Sequence, residues 1–240
     1  MSKNKANQPV ISVVIPAYNE EVYLPDCLAR ITKQTFNQPY EVIVGDNNST
    51  DQTRTIAKQF GAKVVIAKQK GYVFAAIAGV KAARGKFVAM TDADTRVPET
   101  WLEKIYQGFQ KHPQAVAIGG TFQYYDGSTQ MRMFIRMLNN LHPKLLIASL
   151  SGMNMAFKKT AYEAVGGFDQ KINLQADSYL GNKLMKHGKV VLLKNNEVLS
   201  SSRRMCTFWQ TISEVLVRIV NAISLKLFNT TIFKKQADYR

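Results

Sequence analysis

Apolar residues fall along the chain in short runs separated by polar, turn-forming clusters, and the spacing within each run predicts its geometry. Val10-Ile11-Ser12-Val13-Val14-Ile15 is a β-branched run stopped by Pro16, the pattern of a buried parallel strand. An amphipathic helix follows, with Leu24, Leu28 and Ile31 on one face. Tyr40 to Gly45 predicts a second strand, and the polar loop Asp46-Asn47-Asn48-Ser49-Thr50-Asp51 can cap a helix from Thr53 to Phe60. Lys63 to Ala67 is a third short strand, and Gly71 to Ala83 is a helix rich in small residues, able to lie close to a sheet. Phe87 to Met90 is a fourth strand, ending at two carboxylates one residue apart, Asp92 and Asp94. Beyond it come an amphipathic helix from Trp101 to His112 and a strand from Ala115 to Gly120. A helix from Ser178 to His187 and a strand near Val190 to Leu193 complete the alternation.

Strands alternating with helices of this length predict an α/β fold with a parallel, doubly wound sheet. Three strands end in polar clusters, at Tyr18-Asn19-Glu20, Asp46-Asn47 and Asp92-Ala93-Asp94, and ligands collect at the carboxyl ends of strands in such sheets. Side chains at i and i+2 of an extended segment point the same way, so Asp92 and Asp94 are expected to face one point. Two hard oxygen ligands there suit Mg²⁺ or Mn²⁺, and with it a diphosphate. A competing reading makes Asp92 to Thr95 a cap for the next helix. The chain has neither G-x-G-x-x-G nor G-x-x-x-x-G-K-[ST], so the usual dinucleotide and P-loop fingerprints are absent.

The 240 residues, 46% hydrophobic, suffice for one α/β domain, or one with an appendage. Cys27 and Cys206 lie too far apart for a disulfide framework or a zinc spacing, which suggests a reducing, cytosolic setting. Residues 1–9 are polar, read as a disordered tail, and carry no apolar signal core. No run of 18 uncharged apolar residues suggests a membrane span. The net charge of +15 calls for an anionic partner: nucleic acid, acidic lipid or a phosphorylated substrate. It is heaviest in the second half. No acid lies between Asp126 and Glu163, and from Arg203 onward seven basic residues face only Glu214 and Asp238.

Val13-Val14-Ile15-Pro16-Ala17-Tyr18-Asn19-Glu20-Glu21, Val44-Gly45-Asp46-Asn47-Asn48-Ser49-Thr50-Asp51 and Thr91-Asp92-Ala93-Asp94 together resemble the opening of the family 2 glycosyltransferases. Gly166-Gly167-Phe168-Asp169 and Ala176-Asp177 continue the likeness, which runs from about Val10 to Arg204 with the motifs in the family's order. The resemblance implies the GT-A nucleotide-sugar fold, mostly parallel, with a divalent cation (Mn²⁺ or Mg²⁺) as cofactor and inversion at the anomeric carbon. It implies a catalytic domain over 10–206, its donor half about 10–120 and its acceptor half about 121–206.

Residue by residue, the resemblance assigns Pro16, Tyr18, Glu20, Asp46 and Asn47 to the nucleobase and ribose. Asp92, Ala93 and Asp94 are assigned to the ribose and the metal, Asp94 being the direct ligand. Where family members carry an Arg-Asn pair in the helix after a glycine like Gly71, this chain has Ala76 and Ile77. Lys70, or Lys68, is then the available cation at that helix. Gly152 and Asn154 match the segment under the donor sugar, and Arg203 and Arg204 suit the diphosphate by bidentate geometry. For each, a plainer role stands beside the assignment: turn chemistry for Tyr18, a helix N-terminus for Asp46, a strand start for Gly152, a solvated basic face for the arginines. Asp177 holds the second place of the family's acidic pair, with Ala176 in the first, and is the expected general base. Helix capping is its alternative role. The Gln-x-x-Arg-Trp element of processive relatives is missing, which favours single transfer.

Residues 207–240 read as an amphipathic, basic helical appendage. Phe208, Ile212, Val215, Leu216, Ile219, Val220, Ile223 and Leu227 form one stripe, and Arg218 and Lys226 interrupt it. The stripe suits a membrane interface, or docking on the domain or on a second copy. Met131, Met133, Phe134, Met137 and Leu138, interleaved with Arg132 and Arg136, suggest a pliable apolar surface near the acceptor. The expectation is an inverting, metal-dependent enzyme of the hexosyltransferase type. Its donor is a nucleotide-diphosphate sugar, UDP by preference, and its acceptor a hydroxyl or phosphate on a lipid-linked or glycan molecule. It would sit peripherally on the cytosolic face of a membrane, with no nucleic-acid partner. The rivals are a catalytically degenerate scaffold, a nucleotidyltransferase and a charge-driven nucleic-acid binder.

Overall fold

The computed structural model describes residues 8–141, 150–172 and 175–203, with residues 209, 212, 213, 215–217, 220, 221, 223 and 224 beyond them. The tail at 1–7, Arg204 and most of the predicted 207–240 appendage lie outside the described residues. Eight strands form one sheet in the order β3-β2-β1-β4-β7-β6-β8-β5. Its first half is the predicted parallel one. β1 (Ile11–Ala17) pairs in parallel with β2 (Tyr40–Asp46) and β4 (Phe87–Met90), and β2 pairs with β3 (Lys63–Ile66).

Side chains of β1 alternate between two apolar layers. Ile11, Val13 and Ile15 pack with α1 (Leu24–Thr32) and α4 (Trp101–Lys111), through Leu28, Ile31, Leu102 and Ile105. Val14 points the other way, onto Val73, Ala76 and Val80 of α3 (Tyr72–Ala82) and Leu180 and Leu184 of α7 (Ala176–His187). Two-sided burial explains why β1 is a continuous β-branched run rather than an alternating one.

Pro16 does not stop β1 as its position suggested. The strand runs on to Ala17, with Pro16 opposite Gly45. The even-numbered residues Val10 and Val14 accept bonds from Phe87 and Thr91 on the β4 side, and the β4 ladder ends at Val14. The amide hydrogen that Pro16 lacks would point beyond that end, so no ladder bond is lost.

The second half departs from the parallel expectation. β6 (Ala115–Tyr124) leads through α5 (Thr129–Leu141) to β7 (Met155–Lys158), which returns antiparallel and is inserted between β4 and β6. α6 (Lys159–Ala164) follows, and β8 (Lys189–Ser200), longer than its apolar core suggested, pairs in parallel with β6. Its end pairs with a two-residue strand, β5 (Thr95–Arg96), directly after the Asp92–Asp94 turn. α2 (Thr53–Gln59) is as the capping loop predicted.

One buried polar hub ties the halves together. The Trp101 indole N–H donates to Asn154 Oδ1 at 2.9 Å, and Asn154 Nδ2 donates to the carbonyls of Thr121 and Asn196 at 2.8 and 2.7 Å. Asn154 is 1% exposed, so its amide serves the interior instead of the donor sugar. That corrects its expected role: the side chain is spent where water cannot replace the bonds. Replacing Asn154 with Ala should lower the unfolding free energy by about 3 kcal/mol, because an N–H and two carbonyls lose their partner in a dry interior. Calorimetry should show a melting point lower by about 6–12 °C.

Candidate active site

The loops leaving β1, β2 and β4 emerge at one edge of the sheet, and their backbone groups are satisfied mainly by one another. Asn19 takes a left-handed conformation, φ 52°, which asparagine tolerates. Its N–H donates to Ser49 Oγ at 3.0 Å, and its Oδ1 accepts from the Thr50 N–H at 2.9 Å. The Glu20 N–H donates to Thr53 Oγ1 at 2.7 Å. Asp46, fully buried at the end of β2, accepts from the Ser49 N–H and faces Arg54 Nε at 3.5 Å. Asn47 Oδ1 accepts from the Gly71 N–H at 2.7 Å, fixing the start of α3. Gly71 has φ 133°, a region open to glycine and closed to most side chains. Pro16 is buried and Tyr18 half-buried beside these loops, while Lys70 is exposed in the turn before Gly71.

Asp92 and Asp94 do not lie on an extended segment. The Thr95 N–H donates to the Asp92 carbonyl at 3.1 Å, closing a turn with Ala93 and Asp94 at its middle. Extended alternation therefore does not set their directions: Asp92 is half-buried and Asp94 is 6% exposed. The helix-cap alternative also fails, because β5 follows the turn and α4 begins only at Trp101, with Thr100 at its N-cap position. Cys27 lies beneath, its Sγ 3.6 Å from the Asp92 carbonyl. Burial, with Asp94 and Asp92 nearby, pushes its thiol far above the usual range and leaves it inert.

The end of β8 supplies the remaining wall. Arg203 Nε donates to Asp94 Oδ2 at 2.8 Å, and its Nη2 lies 2.6 Å from both oxygens of Glu20. The guanidinium also stacks on the Tyr23 ring, 4.2 Å from its centre. Burial alone would lower the Arg203 pKa, but the bonds to Glu20 and Asp94 raise it beyond its ordinary value. The residues before it are held in turn: Ser201 Oγ and the Ser202 N–H donate to Asp126 at 2.5 and 2.6 Å. Arg204 lies outside the described residues.

In the second half, Asp177 is half-buried in the first turn of α7. Its Oδ2 accepts from the Gly152 N–H at 2.7 Å and its Oδ1 from the Ser178 N–H at 2.8 Å. A Cβ on Gly152 would come within 2.5 Å of the Tyr72 hydroxyl, so glycine lets the loop that bonds Asp177 pass close to the start of α3. Two residues earlier, Gln175 is 6% exposed with φ 57°, and neither of its amide side-chain atoms is hydrogen-bonded. Of the three departures from the family pattern, Ala76 and Ala176 are packed in the apolar layer with Val88 and Leu180, and half-buried Ile77 packs against it.

Tyr23, Tyr72, Asp126 and Ser201 escaped sequence reasoning. Their roles depend on pairings between distant loops, and no local spacing announces them. The Gly166–Asp169 motif instead lines a separate cavity of about 560 Å³ with Phe74 and Lys183, which none of the expected site residues enters.

The carboxylates at this edge would suit a cation only with further ligands completing its shell. Asp94 already holds a positive group, the Arg203 guanidinium. Among the described residues no cluster of three or more His, Cys, Asp or Glu could hold a metal ion. One or two carboxylates completed by substrate phosphates and water is how Mg²⁺-type ions are usually bound.

The sequence profile described as Glycosyl transferase family 2 matches residues 12–166. Glycosyltransferase GlyG of Streptococcus pneumoniae is 33% identical over 132 residues, covering 52% of this chain and 44% of its own length. The chain spans a third to just under half the length of the first curated relatives it matches. Among solved structures, the mannosyltransferase PcManGT from Pyrobaculum calidifontis, in complex with GDP-Man and Mn²⁺, superposes with a TM-score of 0.74. It is 20% identical and covers 92% of this chain and 64% of its own. Glucosyl-3-phosphoglycerate synthase from Mycobacterium tuberculosis, with Mn²⁺ and UDP-glucose, gives 0.64 at 18% identity, covering 90% and 78%. These likenesses establish the GT-A fold.

The Asp126 strap carries its own pH signature. Burial raises the Asp126 pKa, but the bonds from Ser201 and Ser202 outweigh it and hold the carboxyl below its ordinary 3.8. A depressed carboxyl stabilises the fold above its unfolded value and loses that contribution as pH falls through the folded one. Asp126→Asn should cost about 1 kcal/mol near neutrality, after allowance for solvent screening. Thermal scans should show the gap between wild type and variant closing as pH falls from about 5 to about 3.

Proposed function

The chain belongs to glycosyl transferase family 2, and from that premise we propose that it transfers a sugar, with inversion, from a nucleoside-diphosphate donor to an acceptor hydroxyl or phosphate. The observation that carries the reading is the meeting of Glu20, Asp94 and Arg203 at one sheet edge beside the buried Asp46, with the Asp177 carboxylate held by the Gly152 N–H next to the start of α3. In this reading Tyr18, Asp46 and Asn47 flank the base and ribose, and Gly71 lets the chain pass close to the phosphates. Pro16, Ala93 and Gly152 shape the crevice, and Lys70 adds positive charge at its rim. Asp92 and Asp94 would hold the divalent cation, Mn²⁺ or Mg²⁺, which as a Lewis acid takes up charge on the departing nucleoside diphosphate. The Asn154 side chain, already bonded to Trp101, Thr121 and Asn196, is assigned to the fold in this reading.

Asp177 is the proposed base. The N–H groups of Gly152 and Ser178 each fill one lone-pair direction of its carboxylate, and the remaining ones are available to an acceptor hydroxyl proton. Its position on a helix and its two bonds fix its direction, which general-base catalysis requires.

The donor reading is tested by thermal stabilisation with UDP, GDP, CMP and dTDP, each with and without Mn²⁺. A metal-dependent rise with one diphosphate is expected, UDP first, because a ligand of the folded state stabilises by mass action. Asp94→Asn should abolish the metal-dependent part. Asp177→Asn should keep it while turnover falls by about 10²–10⁴-fold. Flat melting curves for the folded protein across the whole panel would refute the donor reading.

A membrane-presented acceptor is supported by a separate surface. α5 turns Met131 and Ile135 inward, and leaves Met133 67% and Met137 48% exposed beside the exposed Arg132 and Arg136. Trp209, Leu216, Val220 and Ile223 are also exposed, and none of the helices in the described residues is long and apolar enough to cross a membrane. Basic and apolar groups sharing a face suit an anionic lipid interface. Co-sedimentation with phosphatidylglycerol vesicles, and its loss in Met133→Ser/Met137→Ser, is the expected result. Equal recovery with neutral and anionic vesicles would remove this reading.

A further inference from the structure

Arg203 occupies Asp94 Oδ2, an oxygen of the carboxylate proposed to bind the cation, and does so from a buried ion-pair cluster. The side chains of Glu20 and Asp94 are 3% and 4% exposed and that of Arg203 25%. The arginine reaches Glu20 across 183 residues of chain and Asp94 across 109, so no local turn dictates the contact. Two carboxylates this deeply buried need a positive partner, and a missing partner is costly there. A divalent ion on Asp94 would meet the guanidinium at short range, where like charges repel strongly.

We infer that Arg203 is a positioning residue that seats itself on Asp94 in place of the cation, so that cation and diphosphate must enter together. This rests on the donor reading above. A diphosphate offers Arg203 a replacement for Asp94: phosphate oxygens match the guanidinium fork in a bidentate manner. With Arg203 on the phosphates, Asp94 is released to the cation, and each ligand removes the obstacle to the other. The Tyr23 ring, 4.2 Å from the guanidinium carbon, is a flat surface over which the head group can turn while its charge stays covered. A cation without nucleotide finds the site filled, and so does a nucleotide without cation, whose phosphates face Glu20 and Asp94.

The test is Mn²⁺ binding without nucleotide, read from the electron paramagnetic resonance signal of free Mn²⁺, on wild type, Arg203→Gln and Arg203→Lys. Removing the guanidinium leaves two buried carboxylates without it, so Arg203→Gln should bind Mn²⁺ alone at least about ten-fold more tightly than wild type, about 1.4 kcal/mol. Arg203→Lys keeps one charge but not the fork and should fall between, which also serves if the glutamine variant does not fold. With UDP or GDP present the ranking should reverse, wild type holding the Mn²⁺–nucleotide pair most tightly. Nucleotide-free affinity that is unchanged or weaker in both variants, while wild type still binds Mn²⁺ with a nucleoside diphosphate, overturns the inference alone. Absence of any nucleotide effect on Mn²⁺ binding in every protein overturns the donor reading with it.

Discussion

β1 is buried at all seven positions and paired along both edges, so only the middle of a sheet satisfies it. Its two apolar faces demand a helical layer on each side, and the odd and even residues find one in α1 with α4 and the other in α3 with α7. Parallel neighbours in register finish at the same edge. Three chains leave the ladder there together, and each carries unpaired backbone groups that must find partners. The bonds from Asn19 to Ser49 and Thr50, and from Glu20 to Thr53, are the solution. The crevice is thus a consequence of the sheet: polar residues gather where the ladder stops.

Charge explains how the crevice closes. The whole chain carries +15, yet Glu20, Asp46 and Asp94 lie buried together at this edge. Asp46 is answered locally by Arg54, on the helix that its own loop begins. Glu20 and Asp94 are answered by Arg203, from the segment that follows β8 in the second half. Apolar contact joins the halves under the sheet, and an ion pair joins them at the mouth. The first kind of join is indifferent to ligands. In the exchange inferred for Arg203, the second would give way to another set of charges while the core stays fixed.

Most of the parallel half was legible, because buried strands and small-residue helices have their own periods. Phe87–Met90 matches its predicted bounds, and the ends of α2, α3 and α4 shift by one residue. Pro16 misled because a proline's cost depends on which edge its nitrogen faces, and that depends on the neighbouring strand. The insertion of β7 between β4 and β6 was hidden for a similar reason: Met155–Lys158 is too short to reveal direction. At the site, strand-end carboxylates announced themselves by residue type. Asn154 did not reveal that Trp101, over fifty residues earlier, would claim its amide. Arg203 was visible as a cation, whereas its seat on Asp94 was not, since sequence carries no distance.

Of the three departures from the family pattern, Ala76 and Ala176 lie in the core and Ile77 is half-buried against it. Ala76 and Ala176 are packed against Val88 and Leu180, where a charged side chain would be buried at high cost unless paired. Their change to alanine therefore leaves no hole at the strand ends, and Asp177 keeps its two backbone donors from Gly152 and Ser178. A scaffold that had shed its chemistry would have no physical use for buried carboxylates, since each must be offset by an arginine to be tolerated. A nucleic-acid binder would be worse served, because acids at the mouth repel phosphate. In the proposed reading, a diphosphate bound through a cation would turn the same carboxylates from a liability into ligands, and the exposed basic residues on α5 would face an anionic surface.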